Sequence, residues 1–191
     1  MKDYLFTFIL LWGVLLPRES QAQAFSNLYV AGMAETTSFP FTRYLPFHPG
    51  LEVGTTLWHT DRGPFTHRAN AFLGGYHHRL HENGIYLRGE YQLTYPIQDL
   101  VGIDLPVGFG YQHTFYPGET YSQDPETGEW SEARQFGKPH ALVNFGLGVT
   151  FLKTERVQPF IRQESTIDLP LFNSFALIRN FVKLGVNIQL N

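Results

Sequence analysis

The feature that most constrains the fold is the alternation of residue types in Gly84–Tyr95, read GIYLRGEYQLTY. Apolar and aromatic side chains dominate one parity, whereas the other holds polar and charged ones such as Arg88, Glu90 and Gln92. Because successive residues of a β-strand point to opposite faces, this pattern predicts a strand with one apolar and one charged face. Its length of about a dozen residues also suits a tilted transmembrane strand, which needs roughly 9–11.

The same alternation recurs along the chain and predicts an all-β protein. The clearest further strands are predicted at Leu51–His59, Gly102–Phe115, Lys138–Leu152 and Phe181–Leu190. Less regular candidates lie at residues 25–35, Phe65–His78 and Pro159–Ile167. Pro106 lies inside one predicted strand and cannot donate a ladder hydrogen bond, so we expect a bulge or a later start of that strand.

Composition narrows the class of protein. Charged residues make up 16% of the 191 residues, against about 25% in ordinary soluble domains. The formal net charge of −3 gives no basic surface for nucleic acid. The absence of cysteine excludes disulfides and thiolate metal sites. A mean hydropathy of −0.18 is too low for a helical membrane protein but normal for a barrel whose strands are half polar.

Residues 1–24 have the features of a secretory signal peptide. Lys2 precedes the apolar run Leu5–Leu16, and small residues follow a short polar stretch, so we predict cleavage after Ala22 or Ala24. The alternative is a transmembrane anchor. The apolar run is about 12 residues long, short of the roughly 20 that a spanning helix needs, so a cleaved signal is the better interpretation.

The connections between the predicted strands alternate in length. The short ones are TDRGP, PIQD and KTER, and the longer ones are HHRLHEN and residues 36–50, 116–137 and 168–180. Outer-membrane barrels have short periplasmic turns and longer extracellular loops. The alternation therefore places every long connection at one end of the molecule. It also requires residues 27–35 to form an eighth strand.

With its signal peptide, alternating strands and terminal strand Phe181–Asn191, the chain resembles the small eight-stranded outer-membrane barrels of Gram-negative bacteria, the OmpA/OmpX-like class. The resemblance covers residues 25–191 and implies one domain, an antiparallel up-and-down transmembrane β-barrel in the outer membrane. It implies contact with outer-membrane lipids. Through loops 36–50, 116–137 and 168–180 it implies contact with an extracellular or membrane protein partner. It carries no catalytic motif and implies no cofactor.

Strand parity points seven charged side chains toward the lumen. These are Glu52, Arg88, Glu90, Asp104, Arg162, Glu164 and Lys183. An eight-stranded barrel has an interior just wide enough for side chains, and an unpaired buried charge is costly, so we expect these side chains to pair. We interpret them as a structural ion-pair network that plugs the lumen. The alternative is a gated ion path or a ligand site.

Three histidines near the end of one predicted strand, His77, His78 and His81, suggest a metal site. Adjacent residues of a strand point to opposite faces, however, and this stretch is not predicted to be helical, so it lacks a histidine pair on one face of a helix. We therefore predict a solvated loop and no metal site.

Two further functions remain as alternatives. A lipid A-modifying barrel enzyme would need a nucleophile beside a base, but Ser165 and Glu164 point to opposite faces and His113 has no identified partner. A soluble lipocalin-like barrel that binds a small ligand would have apolar residues inside, which the inward charged set argues against. We therefore predict a protein that is not an enzyme and that acts structurally or by binding through its extracellular loops.

Overall fold

The computed structural model describes residues 26–36, 48–78, 82–98, 100–116, 118, 121–132, 137–152, 156–170 and 176–190. The predicted signal peptide, residues 1–24, lies outside these ranges. The strands are β1 (Asn27–Thr36), β2 (His48–Arg62), β3 (Phe65–Tyr76), β4 (Asn83–Ile97), β5 (Val101–Phe115), β6 (Tyr121–Gln123), β7 (Trp130–Glu132), β8 (Lys138–Phe151), β9 (Val157–Pro170) and β10 (Leu177–Gln189). Within the same ranges we find no helix with the length and apolarity needed to cross a membrane.

Eight of these strands close into one antiparallel barrel in the order β1-β10-β9-β8-β5-β4-β3-β2. The short strands β6 and β7 form a separate hairpin in the connection between β5 and β8. β1 closes the barrel by pairing with β2 on one side and with β10 on the other, from Asn27 opposite Gln189 to Thr36 opposite Asn180. The predicted all-β barrel of eight strands is confirmed, and residues 27–35 belong to its eighth strand.

The connection between β9 and β10 is shorter than predicted. β9 continues to Pro170 and β10 begins at Leu177, so most of the predicted loop 168–180 is strand. Pro170 ends β9, a position where a missing amide hydrogen costs little. The prediction was wrong because the proline and the irregular polarity of this stretch hid two strand ends. The correction brings Asp168 and Arg179 into the barrel.

β2 also differs from its prediction. It begins at His48, and β1 ends at Thr36, so both margins of the predicted loop 36–50 belong to strands. The pairing of β2 with β3 shifts between Thr56 and Trp58, which marks a β-bulge. A bulge adds one residue to a strand and so changes which residues face outward beyond it.

The irregularity expected at Pro106 does not occur. β5 begins at Val101 and runs through the proline. Its register with β8 is the same on both sides, with Asp104 opposite Gly148 and Val107 opposite Phe145. The prediction of a bulge or late start was wrong because the neighbouring strands hold a long, regular ladder that continues past one missing amide hydrogen.

The two faces of the barrel carry different side chains. Large apolar residues are exposed on the outside, among them Leu87, Phe109, Phe145, Leu147 and Leu184. The inside is lined by buried charged, amide and hydroxyl groups together with a few aromatic rings. This is the distribution of a membrane-spanning barrel, whose strands alternate between an apolar outer face and a polar interior.

The two ends of the barrel differ in the length of their connections. At one end β2 and β3 are joined by Gly63 and Pro64 alone, and Gly63 adopts the left-handed conformation that glycine tolerates, with φ of 59°. Asn27 and Gln189 lie at this same end. Thr36 and His48, Tyr76 and Asn83, Phe115 and Lys138, and Pro170 and Leu177 are the strand ends at the opposite end, which we call the loop end.

Candidate functional site

The structure places all seven predicted lumen residues inside the barrel, where each is at most 4% exposed. They are Glu52, Arg88, Glu90, Asp104, Arg162, Glu164 and Lys183. Ion pairs connect them into a single set, which we call the central network. The residues come from five different strands, so the network ties distant parts of the sequence together across the lumen.

Arg88 is the centre of this network. Its Nη2 lies 2.9 Å from Oε2 of Glu52 and 3.1 Å from Oε2 of Glu90. Its Nη1 donates to Oε2 of Glu164 at 2.7 Å. One guanidinium thus contacts three carboxylates, an arrangement that the planar fork of arginine suits because it carries several donors in fixed directions.

Two further cations complete the network. Arg162 lies 3.2 Å from Glu90 through Nη1 and 3.6 Å from Asp104 through Nη2. Lys183 Nζ donates to Oε2 of Glu52 and to Oε2 of Glu164, both at 2.8 Å. Three cations therefore share four carboxylates, which leaves the central network with one net negative charge.

The wall of the lumen makes room for these long side chains with glycine. Arg88 and Glu90 on β4 lie opposite Gly110 and Gly108 on β5. Arg162 and Glu164 on β9 lie opposite Gly148 and Gly146 on β8. A Cβ atom at Gly148 would lie 2.5 Å from Cγ of Arg162. Each of these four charged residues is thus paired with a glycine on the adjacent strand.

Buried aromatic rings lie beside the charged side chains in the lumen. The guanidinium carbon of Arg88 lies 4.9 Å from the ring centroid of Phe72, and that of Arg162 lies 4.8 Å from the ring of Phe160. Both distances are within the range of cation–π contacts. A pocket among Tyr86, Arg88, Leu142, Thr166, Phe181 and Lys183 has a volume of about 10 Å³, room for about one water molecule.

A second charged cluster, which we call the upper cluster, lies nearer the loop end. Arg179 Nε donates to Oδ2 of Asp168 at 2.6 Å, and its Nη1 donates to Oε1 of Glu35 at 3.3 Å. Its Nη2 also pairs with Glu82. Gln112 Nε2 donates to Oδ2 of Asp168 at 2.9 Å. Arg179 therefore contacts three carboxylates, as Arg88 does.

Sequence analysis missed the upper cluster because it ended the strands too early. Arg179 has the same parity as Lys183, and Asp168 has the same parity as Arg162 and Glu164. Extending the alternation of β9 and β10 past the assigned ends would have placed both residues inward. Glu35 lay at the last position of the weakest predicted strand.

Two histidines lie beside Glu35 in the upper cluster. The rings of His48 and His78 are stacked, with centroids 3.5 Å apart, and both residues are buried. His77, the neighbour of His78, is instead exposed and forms a hydrogen bond with Asn83. His81 lies outside the described residues. The three histidines singled out in the sequence are therefore not shown to converge, and the pair that does meet joins β2 to the end of β3.

The residues considered for an enzyme lie in different surroundings. Ser165 Oγ donates to Oδ1 of Asn180 at 2.7 Å, and an amide oxygen is not a general base. Glu164 belongs to the central network inside the lumen. His113 contacts the hydroxyl of Tyr111 through Nδ1 at 2.7 Å. These contacts do not supply the base that a serine nucleophile needs.

Comparison with known proteins identifies similar folds. No protein-family model and no curated protein matches the chain. The N-terminal β-barrel domain of Pseudomonas aeruginosa OprF is 19% identical, with a TM-score of 0.48, and the match covers 87% of this chain and 100% of that one. Neisserial surface protein A is 10% identical, with a TM-score of 0.48 and coverage of 86% and 95%. Ail, the attachment invasion locus protein of Yersinia pestis, is 9% identical, with a TM-score of 0.36 and coverage of 85% and 95%.

At these identities the likeness concerns the fold alone. The chain's own closed barrel, apolar outside and charged inside, is the architecture of the small eight-stranded outer-membrane barrels, as the sequence implied.

Proposed function

We propose that the protein spans the outer membrane as a closed barrel and acts structurally or by binding through the connections at its loop end. The apolar outer face supports the membrane position, because its exposed Leu, Val and Phe side chains suit contact with lipid tails. The partners on this proposal are outer-membrane lipids and an extracellular or membrane protein. No cofactor is needed.

The observation that carries the proposal is the set of buried, ion-paired side chains inside the barrel. The central network crosses the barrel with its charges paired, and aromatic rings occupy the space beside it. An eight-stranded barrel has little room beyond one such filling. The lumen therefore offers no path for a solute, and interactions with other molecules fall to the connections outside the barrel wall.

The connection between β5 and β8 is the best described of these regions. Its hairpin β6–β7 presents two large aromatic side chains to solvent, Tyr121 at 56% and Trp130 at 67% exposure. Exposed aromatic side chains are frequent anchors in binding interfaces. The aromatic residues of the other two loops, Phe39, Phe41, Tyr44 and Phe172, lie outside the described residues.

We expect an epitope inserted after Gly128 to be labelled by antibody on intact cells. Gly128 lies in the turn of the β6–β7 hairpin with φ of 72°, and the residues around it are exposed, so an insertion there leaves the barrel ladder untouched. The matched control is the same epitope between Gly63 and Pro64 at the opposite end, which should be labelled only after permeabilisation. The reverse pattern would invert the proposed orientation.

The two alternatives fit the structure less well. A lipocalin-like barrel needs an apolar cavity, whereas the interior described here is charged and its exterior apolar. A lipid A-modifying enzyme needs an activated nucleophile, whereas the hydroxyl of Ser165 donates a hydrogen bond to the side-chain amide oxygen of Asn180.

A further inference from the structure

The side chains of Glu35, His48 and His78 converge beneath the loop end, with one candidate ligand atom of each within 4.8 Å of the others. The two carboxylate oxygens of Glu35 have different neighbours. Its Oε1 accepts from Arg179, while its Oε2 lies 3.5 Å from Nδ1 of His48 and 3.9 Å from Nε2 of His78. Ligand atoms of a tetrahedral zinc site with bonds of about 2.1 Å lie roughly 3.4 Å apart. Small side-chain movements would therefore suffice to enclose an ion.

The charge of the surroundings favours a cation. Arg179 is paired with three carboxylates, those of Glu35, Glu82 and Asp168. With neutral histidines, these four described groups leave a net charge of −2 at or near the site. One divalent ion bound by neutral imidazoles would offset this charge, since metals bind histidine in its neutral form.

The two ring nitrogens of His48 have different surroundings. The residue is 8% exposed, and its Nδ1 lies 3.3 Å from the backbone oxygen of Glu35. Its Nε2 is buried and makes no hydrogen bond with the part of the chain that the structure describes. Metal-ligating histidines bind the metal through one nitrogen and hold the other as N–H. Since Nδ1 is the nitrogen that lies 3.5 Å from Oε2 of Glu35, a metal ion at this site would bind Nδ1 in place of the backbone contact and would leave Nε2–H as the donor.

We propose that Glu35, His48 and His78 form a binding site for a divalent transition-metal ion of the zinc class. Two imidazoles and one carboxylate are a zinc ligand set, and imidazole disfavours hard ions such as Mg²⁺ and Ca²⁺. The three ligands leave a fourth position for water or an external ligand. The site lies at the mouth of the lumen, and it does not depend on whether the outer loops bind a partner.

The test is a titration of tag-free, refolded protein in detergent with Zn²⁺, read by competition with a fluorescent zinc indicator after removal of metals. We expect one equivalent of Zn²⁺ per chain. His48→Ala should weaken this binding at least tenfold. The matched control is His59→Ala, which removes an exposed histidine from the other end of the same strand and should leave the affinity unchanged.

A second variant and a competition with Mg²⁺ complete the experiment. His78→Gln should show the same loss as His48→Ala, and heat-modifiable migration on a gel identifies the variants that have folded. A hundredfold excess of Mg²⁺ should not displace the Zn²⁺. The proposal is overturned if the wild-type protein binds no Zn²⁺, if both folded variants bind it like wild type, or if Mg²⁺ competes equally, since the last result would indicate a merely electrostatic attraction.

Discussion

Replacing Arg88 with alanine should lower the free energy of unfolding by about 3–5 kcal/mol, the cost of removing one member of a buried ion pair. Arg88 is 3% exposed and contacts Glu52, Glu90 and Glu164. Its loss leaves four buried carboxylates to be shared by Arg162 and Lys183. The measurement is urea unfolding of the protein folded in lipid vesicles, followed by heat-modifiable migration.

The matched control for this prediction is Arg62→Ala. Arg62 is exposed at the last position of β2, and a surface substitution of this kind should change the stability by no more than about 0.5 kcal/mol. If Arg88→Ala were no more damaging than Arg62→Ala, the central network would not be what holds the lumen together. The contradicting result would be urea unfolding curves that coincide for the two variants.

The second large effect is expected on the outer face. Phe145 lies in the middle of β8 and is 49% exposed, so Phe145→Arg should place a charge against lipid near the bilayer midplane. Such a substitution costs about 2–4 kcal/mol in membrane barrels. Phe145→Leu keeps the apolar character and should cost much less. The same unfolding measurement in vesicles compares the two variants.

A tolerated Phe145→Arg would mean that this face does not meet lipid. Equal urea unfolding curves for Phe145→Arg and Phe145→Leu would be that result, because an outer face in contact with water accepts arginine as readily as leucine.

Much of the fold could be predicted because polar and apolar residues alternate along a strand with a period of two, which identifies the two faces of the strand. In Gly84–Tyr95 the inward residues Arg88, Glu90 and Gln92 are buried, whereas Leu87 and Tyr91 are exposed. The parity of connection lengths then required an eighth strand near the N-terminus, and β1 occupies that place.

The features that could not be predicted are those at which the alternation is interrupted, as at a bulge, or gives no information, as at the ends of strands. The bulge between Thr56 and Trp58 changes the parity of β2, and residues 56–58, Thr-Leu-Trp, include no proline or glycine to mark it. The ends of β9 and β10 are set by pairing with neighbouring strands rather than by their own residues. For this reason Arg179 was placed in a loop.

The partners within the lumen were beyond the reach of sequence analysis as well. Arg88 on β4 meets Glu164 on β9, 76 positions away in the chain, because the closed barrel brings the two side chains together inside the lumen. The alternation indicates that both point inward, but it does not indicate which carboxylate each cation meets. The same limit hid the meeting of Glu35 with His48 and His78.

The central claim is that the lumen is closed and that the loop end is the functional surface. Reconstitution of the purified protein in a planar lipid bilayer tests it most directly. We predict no steady conductance, because paired side chains fill the interior of the barrel. A stable, reproducible single-channel current that changed with Arg88→Ala would contradict this account and would identify the lumen as the functional site.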